Sequence, residues 1–246
     1  MTEKKNEPEQ KKKSTDKAKK GSPAGKSKGK DNGTRNLVIG MILLVVLAGA
    51  GSALAKNRTN THAALPSDVS VSEGYGISFN PKAPVKLDVY EDYQCPNCRN
   101  FEAVNGNYIN SLVRAKKMHV VFHPITILGP ESALTAAASA CASDQDKFLE
   151  YHMALYQNQP TAENSGYWTN EKLALIGHSI GITSAKFDTC INTGQYTTWA
   201  TNVETDAAAK NINSTPTILL NGKPIPPQDQ LNLAGLKNLF KAAGVK

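Results

Sequence analysis

Two thiols two residues apart, Cys95-Pro96-Asn97-Cys98, form the pattern in this 246-residue chain best suited to covalent chemistry. Val85 to Tyr90, just before them, alternates apolar and polar residues and reads as a strand, and Pro96 fits an early helical position. A cysteine at that junction sits where unpaired backbone N–H groups and the positive end of the helix dipole converge. Both stabilise a thiolate. Cys98 falls one turn further along, close enough to attack a mixed disulfide formed on Cys95. The spacing therefore assigns Cys95 as nucleophile and Cys98 as resolving thiol, with Pro96 and Asn97 completing the motif. Half of a zinc site and an inert structural disulfide are the competing readings. Zinc would want a second ligand pair at short spacing, and the sequence holds no His-x-x-His and no second C-x-x-C, so no metal is expected. His119, His123, His152 and His178 lack metal-like spacing and read as ordinary strand or helix residues.

The elements that must position this motif follow from periodicity. Phe101, Val104, Tyr108, Leu112 and Val113 recur at helical spacing, and Val120-Val121-Phe122 before Pro124 reads as a second strand. Ser132 to Ala142 is Ala-rich and helical. Phe148 to Tyr156, Glu171 to Ile180 and Ala185 to Ile191 predict three more helices, with Gly181 as a stop between the last two. Strand character returns at Thr217-Ile218-Leu219-Leu220, followed by the hairpin signal Asn221-Gly222 and a closing amphipathic helix from Leu231 to Ala243. The order predicts one α/β domain, residues 76–128 and 196–246, interrupted by an all-helical insertion at 129–195. Ala136-Ala137-Ala138 reads as close helix packing. Trp168 and Trp199 read as core or surface residues, with a place in the groove beside the active site as the alternative, and Tyr93 as part of an apolar substrate face.

Charge excludes one class of partner. The chain carries 28 Lys+Arg and 21 Asp+Glu, a formal +7. Residues 1–35 hold 12 of the basic and 5 of the acidic residues, so the remaining 211 hold 16 of each. The body has no surplus positive charge for phosphates, and no nucleic acid is expected as partner. Residues 1–35, with no Leu, Ile, Val or aromatic residue, read as a disordered basic tail facing the cytoplasm. Residues 36–55, apolar from Leu37 to Ala55, read as a transmembrane anchor. Ala53-Leu54-Ala55 keeps a cleaved signal peptide open as the alternative. Either way the body is exported, where disulfides are permitted. Residues 56–75 read as a linker.

Asp92-Tyr93-Gln94-Cys95-Pro96-Asn97-Cys98 after a strand resembles the DsbA-like thiol–disulfide oxidoreductases of the thioredoxin superfamily, in their membrane-anchored Gram-positive form. The resemblance covers roughly residues 75–246 and implies a thioredoxin-like fold, a central sheet flanked by helices, with the helical domain inserted. It places Thr215-Pro216 at the family's cis-proline, packed against the C-x-x-C and pairing with the substrate backbone. It implies no cofactor beyond the redox-active Cys95–Cys98 disulfide. Its partners would be unfolded exported proteins with cysteine pairs, and a membrane quinone-linked reoxidase of the DsbB or VKOR type. Many relatives carry a buried acid six residues before the first Cys; here that position is Val89. Glu91, two residues on and facing the same side of the strand, could substitute as proton-transfer acid, against the plainer reading of an exposed strand-end Glu. Pro96-Asn97 offers no ionisable group, unlike the Pro-His of strong oxidases. Cys141 and Cys190, left over within the insertion, read as a structural disulfide of the kind similar Gram-positive relatives carry, with a second redox relay as the alternative. The expected activity is disulfide formation in exported proteins. A membrane-anchored reductase, an isomerase or a redox-inactive binding module are the alternatives.

Overall fold

The computed structural model describes residues 60–246. The tail and the Leu37–Ala55 segment lie outside the described residues, and among the described ones no helix is long and apolar enough to cross a membrane. A six-stranded sheet runs in the order β1-β2-β4-β3-β5-β6. Its strands are β1 (Val69–Ser70), β2 (Gly76–Phe79), β3 (Lys86–Glu91), β4 (His119–Pro124), β5 (Thr217–Leu220) and β6 (Lys223–Pro224). Strand β3 is central. It pairs in parallel with β4, Val89 opposite Phe122, and antiparallel with β5, Val89 opposite Ile218. Flanked on both edges and covered on both faces, β3 is buried from Leu87 to Glu91, polar positions included. The alternation that marks it as a strand therefore does not mark a solvent face. Asp88 stays buried by bonding His123 Nε2 at 3.1 Å and Lys86 at 3.0 Å.

Eight helices surround the sheet among the described residues: α1 (Pro96–Arg114), α2 (Pro130–Ser143), α3 (Phe148–Gln157), α4 (Asn170–Ser179), α5 (Ala185–Thr193), α6 (Thr197–Ala209), α7 (Pro227–Gln230) and α8 (Leu233–Ala242). Pro at the first helical position starts both α1 and α2. Eleven residues of α2 are buried, eight of them Ala or Ser, and these small side chains let α3, α5 and α6 pack closely on it. Cys141 on α2 and Cys190 on α5 form a disulfide that ties two helices of the insertion. Gly177 gives Phe187 its room, since a Cβ there would stand 2.1 Å from the ring. Asn221 and Gly222 both adopt positive φ, 50° and 76°, as a two-residue turn between β5 and β6 requires.

Three features differ from the sequence reading. The linker expected through residue 75 ends earlier, because Val69–Ser70 adds an edge strand against Ile77 and Gly76. Ser67 is also held before it, by its N–H to Asp144 Oδ1 at 2.8 Å and its carbonyl to Ser143 Oγ at 2.8 Å. Strand β2 and helix α6 were not predicted. Four Thr and an Asn dilute the apolar period of α6, yet Trp199, Ala200 and Val203 are fully buried and Trp199 Nε1 donates to the Tyr75 carbonyl at 2.9 Å. Trp168 and Trp199 are both core residues.

Candidate active site

Cys95 is the N-cap of α1, with extended backbone (φ −75°, ψ 120°), and Pro96 opens the first turn. The turn before it is wound by Asp92, whose Oδ1 accepts from Gln94 N–H at 2.8 Å while its carbonyl accepts from Cys95 N–H at 2.9 Å. Pro96 and Asn97 are exposed, Cys95 keeps 7% of its surface accessible, and Cys98 is fully buried. The Thr215-Pro216 peptide is cis, and its loop brings the Thr215 carbonyl oxygen 3.4 Å from Cys95 Sγ. The structure thus unites Cys95, Pro96, Asn97, Cys98, Thr215 and Pro216, residues 120 positions apart in the chain.

The two thiols have opposite electrostatics. The Cys98 thiol, Thr215, and the backbone N–H groups of Cys98 and Asn97 favour the charged form of Cys95. They outweigh burial and hold its thiol down at about 5. The absence of an ionisable residue between the cysteines is therefore no obstacle, because helix-terminal N–H groups and the partner thiol do the work. Burial pushes the Cys98 thiol well up, and the bond it gives Cys95 and the charges of Glu91 and Cys95 add to the rise.

Glu91 differs from the plainer sequence expectation: it is not an exposed strand end but 3% accessible, on the inner face of the sheet with Val89, Tyr93, Phe122 and His152. Burial raises its pKa well above the carboxylate range, and Glu102 and Cys95 raise it further. Tyr93 is likewise no part of a substrate face. It is 2% accessible and its hydroxyl meets His152 Nδ1 at 2.9 Å, within an aromatic cluster with Tyr156.

Several site residues escaped sequence reasoning. Gln159, just after α3, donates from Nε2 to the Tyr93 carbonyl at 2.7 Å and the Cys95 carbonyl at 3.0 Å. The Gln94 side chain exchanges bonds with Asn164, accepting from its N–H at 2.7 Å and donating to its Oδ1 at 3.2 Å. Asp92 accepts from Ser132 Oγ at 2.7 Å and Leu128 N–H at 3.0 Å, although burial lifts its carboxyl to about 6. Asp92, two residues before Gln94, carried a turn signal. Gln159 and Asn164 carried none, because their partners lie 64 to 70 residues away.

Comparison with known proteins agrees with this geometry. The family model described as Thioredoxin matches residues 77–241, more than half of the chain. The chain belongs to that family. Disulfide bond formation protein D of Bacillus subtilis (strain 168) is 30% identical over 165 residues, 62% of this chain and 70% of that protein. Other curated relatives are longer: the chain spans 23% of the Na(+)/H(+) antiporter NhaA 1 of Mycobacterium sp. (strain KMS), at 28% identity over 60% of its own length. Among solved structures, the thiol-disulfide oxidoreductase MdbA of Actinomyces oris superposes with a TM-score of 0.63 at 21% identity, over 76% of this chain and 97% of that one. Oxidised DsbA of Mycobacterium tuberculosis superposes with a TM-score of 0.57 at 25% identity, over 69% and 93%. The fold is thioredoxin-like with a helical insertion. The chain is a thiol–disulfide oxidoreductase of the DsbA-like class.

Proposed function

We propose that this chain introduces disulfide bonds into exported proteins through Cys95 and Cys98. The observation that carries the direction is the asymmetry of the pair, a stabilised thiolate at Cys95 beside a buried neutral thiol at Cys98. A low-pKa thiolate is a good leaving group, and its stability favours the reduced enzyme, which makes the disulfide form an oxidant. A substrate thiolate attacks Cys95 Sγ of the Cys95–Cys98 disulfide. The S–S bond breaks, and Cys98 leaves with the electron pair and takes up a proton. A second substrate thiolate then attacks the substrate sulfur of the mixed disulfide and expels the Cys95 thiolate. The substrate has lost two electrons and the enzyme has gained them. The Thr215 carbonyl, beside Cys95, offers the approaching chain a backbone hydrogen-bond acceptor.

The reduced pair then passes its electrons to a membrane quinone-linked reoxidase of the DsbB or VKOR type. The apolar Leu37–Ala55 segment would hold the catalytic domain outside the cell membrane, beside that partner and emerging substrates. Equilibration with glutathione buffers tests the direction. A potential towards about −120 mV supports a disulfide donor, and one towards about −270 mV overturns it in favour of a reductase. Cys95→Ser should abolish oxidation of a reduced substrate, and Cys98→Ser should accumulate mixed disulfides through Cys95.

A further inference from the structure

Three side chains from three elements meet on the inner face of the sheet: Glu91 at the end of β3, Glu102 on α1 and His152 on α3. One ligand-capable atom of each lies within 4.8 Å of the others. His152 Nε2 stands 3.5 Å from Glu91 Oε2 and 3.4 Å from Glu102 Oε1. None of the three residues is more than 3% accessible. Both oxygens of Glu91, Oε1 of Glu102 and Nε2 of His152 are buried without a hydrogen-bond partner. Buried polar atoms without partners are costly, charged ones most of all.

His152 is anchored through its other ring nitrogen. The Tyr93 hydroxyl lies 2.9 Å from His152 Nδ1. In the tautomer that donates Nδ1–H to Tyr93, Nε2 turns a lone pair towards the two carboxylates. Donor atoms from three side chains converge there on a point that a cation would fill. Their spacing matches one. Hydrogen bonds to a carboxylate run about 2.7–2.9 Å. Donors held ~2.0–2.2 Å from a tetrahedral zinc stand roughly 3.3–3.5 Å apart, as His152 stands from each glutamate. Two carboxylates and a neutral imidazole also balance a divalent charge, so the loaded cluster is neutral. Tyr93 on Nδ1 is the kind of outer partner that orients a metal-bound histidine. Gly106 makes the space, since a Cβ there would sit 2.1 Å from Glu102 Oε2. A cavity of about 310 Å³ lined by Arg99, Glu102, Met153 and Tyr156 reaches the cluster at Glu102.

We propose that Glu91, Glu102 and His152 bind a divalent transition-metal ion of the zinc class, buried behind the active-site helix. The positions 91, 102 and 152 follow no sequence motif, and only the fold assembles them. An ion there keeps Glu91 ionised, so the same residue does not also serve Cys98 as a proton-transfer acid.

The test uses the full chain carrying Cys95→Ser and Cys98→Ser, which removes the other thiolate ligands. Co²⁺ is titrated with visible and near-ultraviolet absorption, and Zn²⁺ by calorimetry. One Co²⁺ per chain is expected, with tetrahedral visible bands and no thiolate charge-transfer band, and a melting temperature that rises with Zn²⁺. Glu102→Gln and His152→Gln should each weaken Zn²⁺ binding by more than about 100-fold, beyond what outer-shell changes cost. Circular dichroism establishes that each variant folds. If a variant does not fold, the parent titration decides: no stoichiometric Co²⁺ overturns the proposal, and so does equal Zn²⁺ affinity in a folded Glu102→Gln chain.

Discussion

Acidification should destabilise the dithiol form of this protein selectively. Cys95 titrates at about 5 in the folded state against an ordinary thiol value of 9.0. A group whose pKa falls on folding adds stability that is complete above its unfolded value and gone below its folded one. At pH 7, two pH units above the folded value and still well below the unfolded one, the folded thiolate is worth up to ~2.7 kcal/mol. Residual solvent at the sulfur makes that an upper figure. Cys98, raised by burial, is a neutral thiol at pH 7 both folded and unfolded and contributes nothing there. The Cys95–Cys98 disulfide does not titrate, so the oxidised form lacks this contribution at every pH. Stability of the reduced form relative to the oxidised one should therefore climb by about 1.4 kcal/mol per pH unit from pH 5 to about 8, and flatten below pH 5. For a two-electron couple, the pH 7 value corresponds to roughly 60 mV of oxidising power. Paired urea titrations of both redox forms from pH 4 to 8 read the slope, and the rate of Cys95 alkylation against pH reads the midpoint. An alkylation midpoint near 8 to 9, with parallel stability curves, would refute the assignment of a stabilised thiolate at this helix N-terminus.

Other outcomes follow from the same contacts. Gln159→Ala strands the Tyr93 and Cys95 carbonyls and should cost about 1–3 kcal/mol while slowing thiol exchange, read by urea unfolding and a reduced-substrate assay. Replacing Cys141 and Cys190 by alanine opens a loop of 49 residues and should cost ~4 kcal/mol on the chain-entropy account, measured by denaturation with Cys95 and Cys98 intact. Gly177→Ala drives a methyl into the Phe187 ring and should cost about 1–3 kcal/mol, visible as a lower melting temperature. Trp199→Ala removes a fully buried indole and its bond to Tyr75, and a loss of about 3–5 kcal/mol is expected in the same assay.

What the sequence made legible was local. Val85 to Tyr90 gave a strand, Cys95-Pro96 a helix start and Asn221-Gly222 a turn, because each depends on neighbours within a few positions. Strand β2 was missed since Gly76-Ile77-Ser78-Phe79 is short and gains its burial only by pairing with β4. Helix α6 was missed because its buried face is made of Trp, Ala and Val among threonines. Within the site, the thiols and Thr215-Pro216 stood out by type or by family resemblance. For Glu91 the sequence leaves two readings, a proton-transfer acid and an exposed strand end, the latter because a strand-end carboxylate is ordinarily solvated. Its burial depends on α1 and α3 covering the sheet, which no spacing within β3 reveals. Gln159, Asn164, Glu102 and His152 had no sequence signature, since their meaning comes from partners tens of residues away.

The bonds from Gln159 to the Tyr93 and Cys95 carbonyls, and from Asn164 to Gln94, run from the helical insertion into the backbone that presents the thiols. The C-x-x-C segment is consequently not a portable cassette. Grafted onto a thioredoxin scaffold without the insertion, it would leave two carbonyls and one glutamine amide to water, and the sulfurs would inherit the new host's geometry. Exchanging insertions between relatives would likewise retune the cysteines without altering any residue between them. Divergence in the helical lobe thus gives evolution a way to adjust exchange chemistry from a distance.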